Sequence, residues 1–409
     1  MVKNFFYFGI LRHLLLGSVF AGLFFQPVVF AESDGTKHKL EEIAEFEEGK
    51  LFAAGAIQTV VLSGNFRQMG RQYGKLLNAH LTNAYQAAFT DNIIADKIMT
   101  FEQARDFTRY VWNFYPARFK EFTIGAAETS SLDIDRLVML DQYMWIVIVK
   151  ELDASGACSM IAAFEKYTAG EKVLVGRNSD FPDFPDAFLF PPVVTVMLPD
   201  TGDMPVCNIG FPGQMQALTV MNANGLVVMQ NNAALSGDKR RILDRVNNLT
   251  RALDWMFNAD SLQFVEVSVN SMKASHASVI FAVSQDDALV YEAATHETRK
   301  RIGATRGLIA AGNHFVNPAW DAPEESSALS QSLERRNNLL MHAEGAKGKL
   351  TPSGMMAILD TPAEDRGVFT ESTRLQLVLS LPDKTVWIKV PALQDWTEIN
   401  IAPFFDEKR

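Results

Sequence analysis

The sequence predicts an α+β fold in which sheets are covered by helices, and three observations predict it. Up to about residue 155 apolar residues recur at helical spacing. Beyond it, short apolar runs come in pairs separated by turn residues, and helical patterns interrupt those pairs. Antiparallel hairpins interleaved with amphipathic helices bury their apolar faces only by stacking, so the expected architecture is a layered sandwich.

In order along the chain, Met1-Val2-Lys3, Arg12 and His13 precede an apolar run from Leu14 to Phe30 that closes on Val29-Phe30-Ala31. That pattern reads as a secretory signal peptide over residues 1–31, cleaved after Ala31, which predicts a secreted or periplasmic protein without stable membrane insertion. Gln26-Pro27 and the small residues at the cleavage point favour removal over a retained anchor. Helical spacing follows at Phe66–Phe89, Phe101–Phe114 and Ile134–Val149, the last with Asp133 as N-cap. Residues 32–157 thus read as a helical segment, in which Gly70 and Gly74 share one face that would admit a close backbone neighbour.

Residues 158–409 read as the strand-rich part. Val193–Leu198 and Met204–Ile209 flank a Pro-Asp-Thr-Gly-Asp turn, and Ala217–Met221 and Leu226–Gln230 flank an Asn-Gly turn. Val279–Ser284 pairs with Ala288–Ala293, and Leu375–Ser380 with Thr385–Val390. Helical patterns at Arg240–Phe257 and Ser326–Ala343 lie between these hairpins.

The formal charge of -10 becomes more negative once Lys3 and Arg12 leave with the signal peptide. An acidic exported chain is a poor partner for nucleic acid or anionic membranes. No His/Cys cluster has metal-ligand spacing, no Gly-rich phosphate loop follows a strand, and no cofactor is called for. Cys158 and Cys207 allow one disulfide, or a functional Cys158 beside an inert, buried Cys207.

Cys158 opens the apolar run Ser159–Phe164, and Arg177 and Asp180 follow on what reads as a returning strand. A turn centred on Ala169 would set residue 158 opposite residue 180. A thiol beside a guanidinium and a carboxylate would have a lowered pKa and an oriented nucleophile. Asn231-Asn232 ends another strand, where a side-chain amide can donate to an oxyanion or simply make a turn. Ser332-Leu333-Glu334-Arg335-Arg336 could turn an arginine to a pocket, and His314 in Gly312-Asn313-His314-Phe315 lies near a sheet edge.

The order Cys-Ser, Gly-Arg-Asn-x-Asp, Met-Asn-x-x-Gly-Leu ending in Asn-Asn, Gly-Asn-His-Phe and Ser-x-x-Arg resembles the N-terminal-nucleophile hydrolases. It is most similar to the penicillin acyltransferase family, whose relatives are the choloylglycine hydrolases and acid ceramidase. Leu62–Gly74 resembles that family's prosegment, and the likeness spans most of residues 55–395. The resemblance implies a four-layer αββα sandwich, and self-cleavage at Ala157-Cys158 that makes Cys158 the first residue of a β chain associated with an α chain. It implies catalytic roles for Cys158, Arg177, Asp180 and Arg335, with Asn232 or its neighbour Asn231 holding the oxyanion. Asn231 and Ser332 are expected against substrate, as are Phe181 and Phe184 from their place directly after Asp180. The implied activity is hydrolysis or transfer of an N-acyl group, on linear amides or lactam-like carbon–nitrogen bonds. Ala157 departs from the glycine common before the nucleophile, which bears on the ease of the cut. Phe181, Phe184 and Phe188-Leu189-Phe190 point to an apolar acyl group in the small-molecule substrate. Alternatives are a phospholipase-B-like lipid ester hydrolase on the same fold, and a non-catalytic binder with Cys158 bridged to Cys207.

Overall fold

The computed structural model describes residues 38–150, 158–181, 191–236, 245–301, 306–321 and 323–406, all within one compact unit. The expected signal peptide, the junction residue Ala157, and Phe184 lie outside the described residues.

Three strands open the fold: β1 (Glu41–Phe46), β2 (Gly49–Ala54) and β3 (Ile57–Gly64), joined as antiparallel hairpins. The segment read as helical therefore begins with three strands. Helices α1 (Phe66–Leu76), α2 (Asn78–Tyr85), α3 (Phe101–Trp112), α4 (Ala117–Thr129) and α5 (Ile134–Lys150) follow, with a wide helical turn at Gln86–Ile94 after α2. Asn65 caps α1 by accepting from Arg67 N and Gln68 N, while the Gln68 side chain accepts from Asn65 N. Asp133 caps α5 as expected, accepting from Arg136 N at 2.9 Å.

The two glycines of α1 have a specific reason. A Cβ at Gly70 would lie 2.0 Å from the Phe122 carbonyl oxygen, and one at Gly74 would lie 2.3 Å from that of Ala126. Gly125 answers from α4, its virtual Cβ 2.1 Å from the Arg67 carbonyl oxygen. The helices thus meet backbone to backbone, and α4, which the periodicity did not announce, is the partner that the glycine face requires.

After Cys158 come β4 (Ser159–Ala163), β5 (Leu174–Asp180), β6 (Val193–Pro199), β7 (Val206–Gly210), β8 (Thr219–Asn222) and β9 (Val227–Asn232). Then follow α6 (Asn248–Met256), α7 (Leu262–Ser271), β10 (Ser278–Val283), β11 (Ala288–Ala293), β12 (Thr298–Lys300) and β13 (Leu308–Ala311). The chain continues through α8 (Ser327–Gly345), α9 (Pro352–Asp360), β14 (Thr373–Ser380), β15 (Thr385–Val390), β16 (Gln394–Asn400) and α10 (Ala402–Asp406). All four expected hairpins form, as β6–β7, β8–β9, β10–β11 and β14–β15.

Among the described residues the strands make two sheets. One runs β1-β2-β3-β6-β7-β8-β9-β10-β11-β12, with β3 and β6 parallel, and the other runs β13-β4-β5-β14-β15-β16. Alternation sends successive side chains to opposite faces, and three apolar cores result. Val60, Leu62, Val220 and Val228 of the first sheet pack with Met69, Phe122 and Leu253 of the helices. Val61, Val196 and Met229, on its other face, meet Met160, Val175 and Leu377 of the second sheet. Ile161, Leu174 and Val378 then pack with Leu339 and Met355 of α8 and α9. The layers run helix, sheet, sheet, helix, which is the αββα sandwich that the motif resemblance implies.

Candidate active site

Cys158 immediately precedes β4, an interior strand of the second sheet, at one end of its strands. The register Ser159↔Asn178 and Met160↔Arg177 brings the end of β5 to that same end. Ala311↔Met160 brings the end of β13 there, and Thr373↔Asp180 the start of β14. The pairing is offset by one residue from the expected 158-opposite-180 arrangement. Two short helical turns, Glu165–Tyr167 and Ala169–Glu171, replace the tight turn that the expectation assumed. The juxtaposition survives the offset: the Cys158 thiol is buried and donates to the Asp180 backbone carbonyl, Sγ to O 3.8 Å.

Arg177 is 1% exposed and crosses to the other sheet. Its Nη1 donates to the Leu218 carbonyl and its Nη2 donates to the Gln230 carbonyl at 2.8 Å. Nε donates to Ser179 Oγ at 2.9 Å, and Thr219 Oγ1 lies 3.3 Å from Nη1. Neutral acceptors orient this cation without cancelling its charge. Burial holds its pKa below the ordinary arginine value, while the neighbouring Cys158 and Asp180 act in the opposite direction.

The thiol does not have the lowered pKa that its neighbours suggest. Burial is the largest influence and pushes Cys158 up, with Asp180 adding to it and Arg177 opposing it. Asp180 is likewise pushed up by burial, to about 7, against the Thr373 hydroxyl and the charges of Arg335 and Arg177. Neither of its carboxylate oxygens has a hydrogen-bond partner of normal geometry among the described residues.

Asn231 and Asn232 end β9 with different commitments. Asn231 is buried and donates its side-chain amide to the Gly312 carbonyl at 3.2 Å. Asn232 is half-buried, and its side-chain oxygen accepts from Ala234 N at 3.0 Å. Asn313 joins them, though the sequence drew attention only to the histidine beside it. Its Nδ2 donates to the Asn232 carbonyl at 2.8 Å, and its Oδ1 accepts from Arg335 Nη2 at 3.1 Å. An asparagine just after the end of an apolar strand was the available signal.

Arg335 on α8 is buried, with its pKa lowered by that burial and supported by Asp180 and Cys158. It borders a cavity of about 760 Å³ with Gln331 and Asn338 of the same helix and Thr370, Ser372 and Arg374 opposite. The apolar acyl pocket expected around Phe181, Phe184 and Phe188–Phe190 falls largely on residues outside those described. Phe181 itself packs into the core, edge-on to Phe211 with ring centroids 5.8 Å apart.

Ser332, expected against substrate, is fully buried and committed elsewhere. Its hydroxyl accepts from Asn313 N at 2.8 Å and lies 2.7 Å from His314 Nδ1. His314 is held neutral, its pKa lowered to about 4 by burial and then by Arg301, Arg336 and Arg335. These two residues tie the end of β13 to α8. Cys158 and Cys207 are both free thiols, which leaves the disulfide-linked binder without support. Among the described residues no helix is long and apolar enough to cross a membrane.

No family model and no curated protein matches the chain. Among solved structures it is similar to an N-acylethanolamine-hydrolyzing acid amidase ortholog from Caenorhabditis elegans, at 14% identity and a TM-score of 0.41, covering 55% of this chain and 93% of that one. It is also similar to penicillin V acylase from Agrobacterium tumefaciens, at 10% identity and 0.40, covering 62% and 89%. A mutant conjugated bile acid hydrolase from Clostridium perfringens gives 12% identity and 0.40, covering 60% and 93%.

Proposed function

We propose that this chain is an exported cysteine amidohydrolase or acyltransferase that activates itself by cleavage at Ala157-Cys158. The observation that carries the reading is the meeting of the Cys158 thiol, Arg177 and Asp180 at one end of β4 and β5, with the thiol bonded to the Asp180 carbonyl. In the uncut chain the Cys158 nitrogen is an amide, and burial holds the thiol protonated. Cleavage frees an α-amino group, whose unperturbed pKa of about 7.7–8.0 makes it a usable base near neutrality.

The amine takes the thiol proton, and the thiolate sulfur attacks the substrate amide carbonyl. The oxyanion forms against the side-chain amide of Asn232, and the nearby positive charge of Arg177 opposes the negative charge that develops. The carbon–nitrogen bond breaks as the ammonium returns its proton to the leaving amine. This leaves a thioester, which water or a second amine then cleaves to restore the thiol. The cavity beside Arg335, walled by Gln331, Asn338 and Arg374, suits a polar amine half.

Intact-mass analysis of purified protein, with N-acyl amides of apolar acyl groups assayed on the same sample, tests this. The expected result is two fragments meeting at Cys158, one uncut chain for Cys158→Ala, and turnover abolished by thiol alkylation. Active wild-type protein found as a single chain would overturn self-activation. Activity that survives complete alkylation of Cys158 would overturn the mechanism.

A further inference from the structure

The loop 211–218 between β7 and β8 is held from two sides. On one side the bonds come from helices that precede Cys158. Gly213 N donates to the Tyr73 hydroxyl of α1 at 2.8 Å, and Met215 N donates to Asp141 Oδ1 of α5 at 2.7 Å. The Gln216 side-chain amide donates to the Asp141 backbone carbonyl. Gly213 has φ 84°, and a Cβ there would lie 2.4 Å from Leu140 Cδ2. Only glycine lets the loop sit this close to α5.

On the other side the same loop touches the candidate site. Phe211 packs against Phe181, directly after Asp180. Leu218, at the loop's end, offers the carbonyl that receives Arg177 Nη1. Asp141 is buried and is itself fixed, since Oδ2 accepts from the Tyr115 hydroxyl and from Gln142 Nε2 at 2.9 Å. Burying a carboxyl is costly, and here burial moves its pKa up to about 6 even against these donors. An apolar residue would fill the same core without that cost, so the acid's distinctive contribution is the direction in which it holds the loop.

We propose that Asp141 is a positioning residue for the Cys158 site, acting through Met215 and the Leu218 carbonyl on Arg177. The inference rests on the reading of Cys158 as nucleophile. It makes the segment before the cut a working part of the site, with Tyr73 as a second support of the same loop.

The test uses the full chain carrying Cys207→Ala, so that Cys158 is its one thiol. Asp141→Leu and Tyr73→Phe are compared with Asp141→Asn, which keeps an acceptor for Met215 N. Self-cleavage rate, kcat, KM and the pH dependence of Cys158 alkylation by iodoacetamide are measured on protein shown to be folded. Asp141→Leu is expected to lower self-cleavage and kcat on the order of tenfold or more, as small misplacements do, with KM nearly unchanged and the alkylation profile displaced. Tyr73→Phe should move both in the same direction by less, and Asp141→Asn should stay close to the parent. Folded variants whose alkylation profile and kcat match the parent overturn the proposal. Should Asp141→Leu not fold, Tyr73→Phe decides. If the parent neither cleaves itself nor hydrolyses amides, the nucleophile reading fails, and the alkylation profiles still decide whether Asp141 positions the thiol's surroundings.

Discussion

Arg177 Nη2 donates to the backbone carbonyl of Gln230 across the gap between the two sheets, at 2.8 Å. The residue after Gln230 is Asn231, and the strand ends at Asn232. One bond therefore connects the cation beside the thiol to the strand that carries the candidate oxyanion donors. The second bond, to the Leu218 carbonyl, fixes the guanidinium in its plane.

Replacing Arg177 with Met should abolish activity and strand two buried carbonyls. Each unsatisfied group costs about 1–3 kcal/mol. Urea denaturation should show a loss on the order of several kcal/mol, reduced in part by Lys, whose single ammonium does not reproduce the fork.

Asp180→Asn should alter stability in a pH-dependent way. The native carboxyl is raised to about 7 from an ordinary value of 3.8, so burial penalises the folded state increasingly as pH rises between those values. Below them both states are protonated and the penalty disappears. Relative to wild type, the Asn variant should gain stability from acid to neutral pH while losing activity throughout. Chemical denaturation at both ends of that range checks the sign, and a constant difference would contradict it.

Asn232→Ala should lower turnover on the order of a hundredfold, the scale for losing one oxyanion donor. Asn231→Ala should act more on stability, because its amide is already engaged with the Gly312 carbonyl. If the two effects are exchanged in steady-state kinetics and melting curves, Asn231 holds the oxyanion.

Gly70→Ala should force α1 and α4 apart, since the new methyl would meet the Phe122 carbonyl at 2.0 Å. Overpacking of this kind costs about 1–3 kcal/mol. The lowered melting temperature should come with an unchanged KM if the change stays in the helical layer.

The hairpins were legible because turn chemistry and alternation are local. At Asn222-Ala223-Asn224-Gly225 the Asn222 side-chain oxygen accepts from Asn224 N and Leu226 N, a local turn that leads β8 into β9. The pairing of β3 with β6 was not legible, because no local pattern ties Gln58 to Val193. Cys158, Arg177 and Asp180 could be grouped from spacing, but their register depended on two helical turns that the sequence did not signal. Charge proximity suggested an acidic thiol, and burial, which spacing does not reveal, reversed the direction. Ser332 and Asn313 sat in recognised motifs, but only their packing separates a strut from a residue at the site's edge.

The parallel pairing of β3 with β6 joins a strand that precedes Cys158 to one that follows it. Neither portion alone completes the first sheet, so a cut between them would change connectivity without creating two folding units. Heating should then give one cooperative transition for both fragments, and separately produced fragments should each be insoluble until mixed. The order of events is also constrained. Arg177 finds its acceptors only after β8 and β9 are in place, so the surroundings of Cys158 are complete only once the whole sandwich has formed. Folding itself would then be the timer for activation.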